Sequence, residues 1–324
     1  VVVKMYLDPF IKEKLGLSKD LPLTREAIDS YVKNKREGLI FYVYEQSPFH
    51  RKRLNPSLPW EDIPFTTTSD LKDNYSDMLC VPKSRIQRVV TIFTSGSQGE
   101  PKRVFFTEKD QENTMDYFNF GLRCMISKKD KVLILFPHEA EGSLGLLLEK
   151  AVTRLGAQPT FNPDEDGITS IIGPPSLLLG LMERKPYLRP ESVLLSADYV
   201  SLHTVTSIKN IWGSKVFEHY GMTETGYGCA MSCRDSQIDP PVGYHLREND
   251  IFIEIIHPQT KKILPDGQWG EIVMTTLTRE GMPFLRYRTG DISRFIKEPC
   301  SCKSVLKRLD KVQEREAKKK TISL

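Results

Sequence analysis

The sequence has no apolar run approaching the roughly 18 residues that a membrane-crossing helix needs. Its longest candidate, 168–182, is interrupted by Gly173-Pro174-Pro175. Cysteine is sparse: six in 324 residues are too few for a disulfide scaffold, so a reducing cytoplasm is the expected setting. A strong charge surplus is also missing. Forty-six Lys and Arg against 42 Asp and Glu leave a formal net charge of +4, which gives no electrostatic case for a nucleic-acid partner. Much of that surplus lies in 311–320, which reads as a solvated helix face. The opening Val-Val-Val-Lys-Met lacks the charged and apolar regions of a signal peptide, and Met5 stands as a candidate start. Neither an internal repeat nor a low-complexity tract is apparent.

What the chain does contain is alternation. Thr24 is placed to cap a helix running to about Gln46, with Ile28, Val32, Ile40 and Val43 near one stripe. Val89 to Phe93 reads as a strand entering a Gly-rich turn, and Val104-Phe105-Phe106 as the returning strand. Thr107 with Asp110 then opens a helix through Arg123. Strands at 132–136, 169–172, 193–196 and 215–218 alternate with helices at 143–155, 175–182 and 202–212, a pattern of parallel strands covered by helices. From about residue 243 the pattern changes. Ile251 to Ile256 and Glu271 to Leu277 flank Pro265-Asp266-Gly267, which reads as a smaller antiparallel β lobe.

Three segments carry chemistry. Thr94-Ser95-Gly96-Ser97-Gln98-Gly99-Glu100-Pro101-Lys102 combines glycines, hydroxyls and a cation, which suits either a polyphosphate or a flexible hairpin. It is not a Walker loop, because no Gly-Lys-Ser/Thr closes it. Glu218-His219-Tyr220-Gly221-Met222-Thr223-Glu224 ends a strand, where open α/β sheets bind ligands. There Tyr220 offers a flat face to a base, and Thr223 and Glu224 offer oxygens to Mg²⁺; a capped strand-to-helix turn is the alternative. In Arg286-Tyr287-Arg288-Thr289-Gly290-Asp291, the aspartate can accept two ribose hydroxyls, or the segment is a turn with a local ion pair.

In this order the three segments resemble the phosphate loop, the Tyr-Gly-x-Thr-Glu segment and the Tyr-Arg-Thr-Gly-Asp segment of the adenylate-forming superfamily. That superfamily holds acyl-CoA synthetases, luciferases and peptide-synthetase adenylation domains. The phenylacetate–CoA ligase-like branch is the most similar, through 93–106, Gly243-Tyr244-His245, 252–255, 283–291 and Cys300-Ser301-Cys302. The likeness covers roughly residues 40 to 312.

The resemblance implies an α/β fold: an adenylate-forming N-terminal domain over 1–305, with parallel sheets covered by helices and a β lobe at about 243–305. Residues 306–324 would form the hinge and the start of a mobile C-terminal domain. The implied reaction is AMP-forming acid–CoA ligation, with ATP, Mg²⁺ and CoA as cofactors and a carboxylic acid, aryl or arylacetic among the candidates, as substrate. An adenylating enzyme with another acceptor and a non-catalytic nucleotide-binding homologue are the alternatives. By motif, Thr94, Ser95, Gly96, Ser97, Gly99 and Lys102 would hold phosphates. Tyr220 would flank adenine within Glu218-His219-Tyr220-Gly221-Met222, with Ser196-Ala197-Asp198 opposite. Thr223 and Glu224 would serve Mg²⁺ and the α-phosphate, and Asp291 and Arg308 the ribose. His138, Gly142, Ser143, Tyr227 and Gly228 would line the acyl pocket, although His138 reads equally as a surface histidine, and His219 as structural. The branch makes a homodimer reasonable.

Departures are specific. Gln98 replaces the usual Thr, the stretch from Asn162 to Thr169 is too short for the helix that the pattern fits there, and only fourteen residues follow Asp310. The resemblance thus leaves two alternatives: the C-terminal domain with its lysine lies outside this sequence, or the natural protein is short. Cys233, His245, Cys300 and Cys302, which the resemblance places beside one lobe, match a closed tetrahedral zinc site of structural type. Unrelated buried or surface thiols are the alternative.

Overall fold

The computed structural model describes residues 7–18, 20–92, 101–233 and 243–313. Four helices come first: α1 (Leu7–Lys14), α2 (Arg25–Gln46), α3 (Pro48–Arg53) and α4 (Thr68–Asn74). Thr24 caps α2 by accepting the Ala27 N–H, and Ile28, Val32, Leu39, Ile40 and Val43 bury one face of it. A two-stranded antiparallel ribbon follows, β1 (Ile86–Ile92) and β2 (Lys102–Thr107), whose register places Ile92 opposite Lys102. Thr107 ends β2 and starts α5 (Glu108–Gly121) through a capping box with Asp110. The Asp110 carboxylate also accepts the main-chain N–H groups of Glu280 and Gly281, which staples α5 to a loop 170 positions away.

The chain then winds through β3 (Lys131–Ile134), α6 (Leu144–Leu155), β4 (Gln158–Thr160), β5 (Ser170–Gly173), α7 (Pro175–Arg184), β6 (Ser192–Leu195), α8 (Leu202–Trp212) and β7 (Lys215–Tyr220). These five strands are parallel; β3, β5, β6 and β7 are largely buried, as strands covered by helices must be, and β4 is the partly exposed edge. Gly156 and Gly213 close α6 and α8 in the left-handed conformation. Beyond β7, the strands β8 (Ala230–Met231), β9 (Tyr244–Leu246) and β13 (Arg308–Leu309) continue the same sheet antiparallel, giving the order β13-β9-β8-β7-β6-β5-β3-β4. A separate three-stranded antiparallel sheet holds β10 (Ile251–Ile256), β11 (Gly270–Thr276) and β12 (Tyr287–Ser293).

One expectation changes in detail. The stretch read as the start of the β lobe at 243 instead supplies β9 to the large sheet, because Ala230 and Met231 present an edge that Leu246 and His245 complete. The short segment after β4 is a turn, closed by Thr160 donating to Glu165 and by Lys131 pairing with Glu165. Among the described residues, no helix is long and apolar enough to cross a membrane.

Three histidines are buried: His50, His219 and His245. For His50 and His219, burial, reinforced by Arg53 and Arg247 respectively, pushes each down to about 4. His219 packs beside Tyr117 and Phe118, and its Nδ1 pairs with the Ser196 hydroxyl at 2.8 Å. A depressed histidine stays neutral in the folded state while the unfolded chain protonates near 6.5. Its stabilisation is therefore complete above about 6.5 and is lost as pH falls toward 4, by about 2 kcal/mol per group at pH 5. Urea midpoints of wild type and His219→Gln at pH 7 and pH 5 check this. The variant should lose clearly less stability over that interval, and parallel losses would contradict the assignment.

Candidate active site at the carboxyl end of the sheet

Strand β7 delivers Tyr220 to the open end of the parallel strands, and a tight turn over Thr223–Thr225 follows. Gly221 is required there, because a Cβ at that position would stand 2.2 Å from the Tyr227 carbonyl oxygen. The turn is locked by Thr225, whose hydroxyl donates to the Met222 carbonyl and accepts the Met222 N–H. It is closed by Gly226 at φ +69°. This geometry buries Glu224 to 1% exposure.

Three distant segments meet on that carboxylate. Lys102, the first residue of β2, places its ammonium 2.5 Å from Glu224 Oε1. Tyr287, the first residue of β12, donates its hydroxyl to the same oxygen at 3.1 Å and lies 3.0 Å from the Thr68 hydroxyl. Burial and the neighbouring carboxylate raise the Tyr287 phenol well above its usual range, so it remains a donor. Nearby, the Tyr220 hydroxyl donates to Asp291 Oδ2 at 3.0 Å, and that phenol is likewise raised by burial and by Asp291. Two polar groups thus share the same two segments: Glu224 with Lys102 and Tyr287, and Tyr220 with Asp291.

The remaining expected residues lie on several elements. Ser196, Ala197 and Asp198 follow β6, and Ala197 adopts φ +73°, a strained value for a residue with a Cβ. Glu218 is buried below Tyr220, accepts the Tyr244 hydroxyl at 2.8 Å and pairs with Lys311 at 2.8 Å. Tyr227, at φ +68°, stacks on Phe106 with ring centroids 5.5 Å apart, and the buried Gly228 follows it. Gly142 is left-handed beside the Gln111 side chain, and the buried Ser143 precedes α6. His138 is exposed and stacks on Phe161 at 3.8 Å. Arg308 is buried and donates to the Glu298 carbonyl. Thr94, Ser95, Gly96, Ser97 and Gly99 lie outside the described residues.

Sequence reasoning gave no role to Tyr287, Arg279, Tyr244 or Thr68. Tyr287 sits inside a segment already singled out, and its hydroxyl was the available signal. Arg286, read as part of that segment, is instead the structural ion pair: it is 1% exposed, pairs with Glu254 at 3.0 Å and donates to the carbonyls of Trp60, Glu61 and Ile63.

On the far side of β9 lies a second cluster. Successive residues of a strand face opposite ways: Tyr244 reaches Glu218, while His245 reaches the cysteines. The ligand atoms of Cys233, His245, Cys300 and Cys302 all lie within 4.8 Å of one another. Cys233 and Cys300 sulfurs are 3.7 Å apart, and Cys302 Sγ is 3.3 Å from His245 Nε2. A tetrahedral zinc with bonds of about 2.3 Å to sulfur needs sulfur pairs about 3.8 Å apart. The buried His245 Nδ1 has no partner among the described residues. Residue types, spacing and burial fit a closed metal site.

Comparison with known proteins agrees with this geometry. The family model described as "AMP-binding enzyme" matches residues 26–278. Phenylacetate-coenzyme A ligase of Thermus thermophilus is 30% identical, with 86% of this chain covering 68% of that protein. The Pseudomonas putida phenylacetate-coenzyme A ligase is 28% identical, with 85% and 69% covered. In fold, the chain is similar to 2-hydroxyisobutyryl-CoA ligase in complex with 2-HIB-AMP and CoA, at a TM-score of 0.76 and 21% identity over 90% of this chain and 68% of that one. The chain belongs to the AMP-binding enzyme family, on its phenylacetate–CoA ligase-like branch.

Proposed function

We propose that the protein is an AMP-forming acid–CoA ligase whose substrate is an aryl or arylacetic acid. The observation that carries the reading is the meeting of Lys102, Glu224 and Tyr287 one turn beyond Tyr220 and Asp291. In the first step the acid's carboxylate oxygen attacks the α-phosphorus of ATP, and pyrophosphate leaves. In the second a CoA thiol attacks the acyl carbon, AMP leaves, and the thiol proton is released. No covalent nucleophile of the protein is needed; positioning and charge neutralisation carry the chemistry.

Tyr220 stacks on adenine against the Ser196–Asp198 segment, Asp291 accepts ribose hydroxyls, and Arg308 supports the ribose side. Lys102 would pair with phosphate oxygens of a bound nucleotide, and Glu224 with Thr223 would hold Mg²⁺. That ion supplies charge neutralisation on the phosphates when bound. The acid lies against Gly142, Ser143, Tyr227 and Gly228, with His138 at the rim. The phenylacetate–CoA ligase relatives support an aryl acid and CoA as the substrate pair. A reducing cytoplasm fits a site that uses three thiols.

The test is pyrophosphate release by the full-length protein over a panel of aryl, arylacetic and aliphatic acids. Aryl or arylacetic acids should be preferred, and Glu224→Gln should lower the rate by about a hundredfold or more, roughly 3 kcal/mol in barrier. A variant within about threefold of wild type would remove Glu224 from the reaction.

Zinc is the metal proposed for Cys233, His245, Cys300 and Cys302. It joins the end of β8, β9 and the segment before β13, and so braces Tyr244 and the Glu218 floor without touching substrate. Structural zinc contributes directly to folding. Elemental analysis of protein purified without added metal should find about one zinc per chain, lost together with thermal stability in Cys300→Ser/Cys302→Ser. Metal-free wild type that is equally stable with and without chelator would contradict the site.

A further inference from the structure

Arg279 lies in the loop between β11 and β12, outside every segment that the sequence marked as functional. It is 8% exposed, yet no carboxylate lies within ion-pair distance of it among the described residues. Its Nη1 instead donates to the main-chain carbonyl of Glu224 at 2.7 Å. The guanidinium sits over the Phe106 ring at 4.4 Å and toward the Phe284 ring at 5.6 Å. Its buried Nη2 has no partner among the described residues and stands 3.6 Å from where a Cβ on Gly226 would be. It borders a small, open polar pocket walled by Thr114, Thr225, Gly226, Arg247 and Asp250.

A buried guanidinium without a paired carboxylate is costly to keep. The nearest acids are committed elsewhere. Asp110 accepts the N–H groups of Thr107, Glu280 and Gly281, and the Glu224 carboxylate pairs with Lys102; Asp250, across the pocket, pairs with Arg247. The loop carrying Arg279 is fixed at both ends by those same residues, since Leu277 N–H donates to the Asp250 carbonyl. The charge is therefore held rigidly behind the Thr223–Thr225 turn, with its planar fork matched to a carbonyl on one edge and an aromatic face below. Phe106 lies on β2, the strand that begins with Lys102. One guanidinium thus bridges the two main-chain segments that carry Lys102 and Glu224.

We infer that Arg279 is a positioning residue for adenylation. It sets the main chain of Glu224 so that its carboxylate meets the metal–triphosphate, and it adds fixed positive potential behind the turn. The inference rests on the proposed ligase reading, but its readouts separate from it. If the wild-type protein forms pyrophosphate with no acid, that reading fails whatever Arg279 does. The Arg279 role is read independently from the Mg²⁺ concentration that half-saturates the thermal stabilisation by ATP.

Arg279→Lys keeps the charge and stem but cannot hold both carbonyl and ring face. In the folded full-length variant, half-saturating Mg²⁺ should rise about fivefold or more and kcat for pyrophosphate release should fall about tenfold or more. KM for the acid should stay within about twofold. Phe106→Leu, which removes only the ring beneath the guanidinium, should move the Mg²⁺ midpoint in the same direction by less. Ballast in the core would lower stability and leave the Mg²⁺ midpoint alone. A folded Arg279→Lys with wild-type midpoint and kcat, or with its loss confined to KM for the acid, overturns the role. Should that variant not fold, an unchanged midpoint in Phe106→Leu overturns it.

Discussion

A carboxylate that is 1% exposed must find a cation or lose its charge. Glu224 meets that constraint with Lys102 at 2.5 Å and Tyr287 at 3.1 Å, and most of the site follows from it. Lys102 is brought by the β1–β2 ribbon, Glu224 by the turn after β7, and Tyr287 by β12 of the smaller sheet. Three units that share no sheet are thereby registered on one oxygen atom. A buried pair of this kind contributes little net stability, because desolvation offsets the attraction. Its value is specificity of arrangement, and it leaves a cation-seeking group where the parallel strands end.

The large sheet supplies the rest of the frame. Its parallel half ends at Tyr220, on the side where open α/β sheets bind ligands, and its antiparallel half continues through β8, β9 and β13. Strand β9 has two uses at once. Tyr244 holds the buried Glu218, and His245, one residue on, joins three cysteines on the other face. Lys311 reaches Glu218 from just beyond β13, so the end of the described chain is tied to the same residue. The strand end that carries Tyr220 is therefore braced by contacts made two residues before it, at Glu218.

Much of this was legible in the sequence because the signals were local. The Thr24 cap, the Thr107–Asp110 capping box, Gly156 after α6 and the Val/Ile/Leu strands each act within a few residues. The three motif segments were legible because glycines and charged groups cluster in them. Partner choice across the chain was not. Nothing local in Tyr244-His245-Leu246 distinguishes a strand of the small sheet from one at the edge of the large sheet; the edge offered by Ala230 and Met231 decides. Arg279 and Arg286 look like ordinary loop arginines in the sequence. Their burial depends on a carbonyl turn and on Glu254, which lie 55 and 32 positions away. Tyr287 was overlooked because a phenol reads as core until a buried carboxylate is placed against it.

The central claim is that this sheet-end crevice, organised around Glu224 and closed by Tyr220 and Asp291, binds an adenine nucleotide. Anything that binds only the folded state raises its stability by mass action. The direct measurement is thermal stability of the protein with and without AMP, in wild type and in Asp291→Ala. The account predicts a concentration-dependent rise in wild type that is mostly lost in the variant, since both ribose contacts go together. No rise in wild type, or an equal rise in Asp291→Ala, would contradict it.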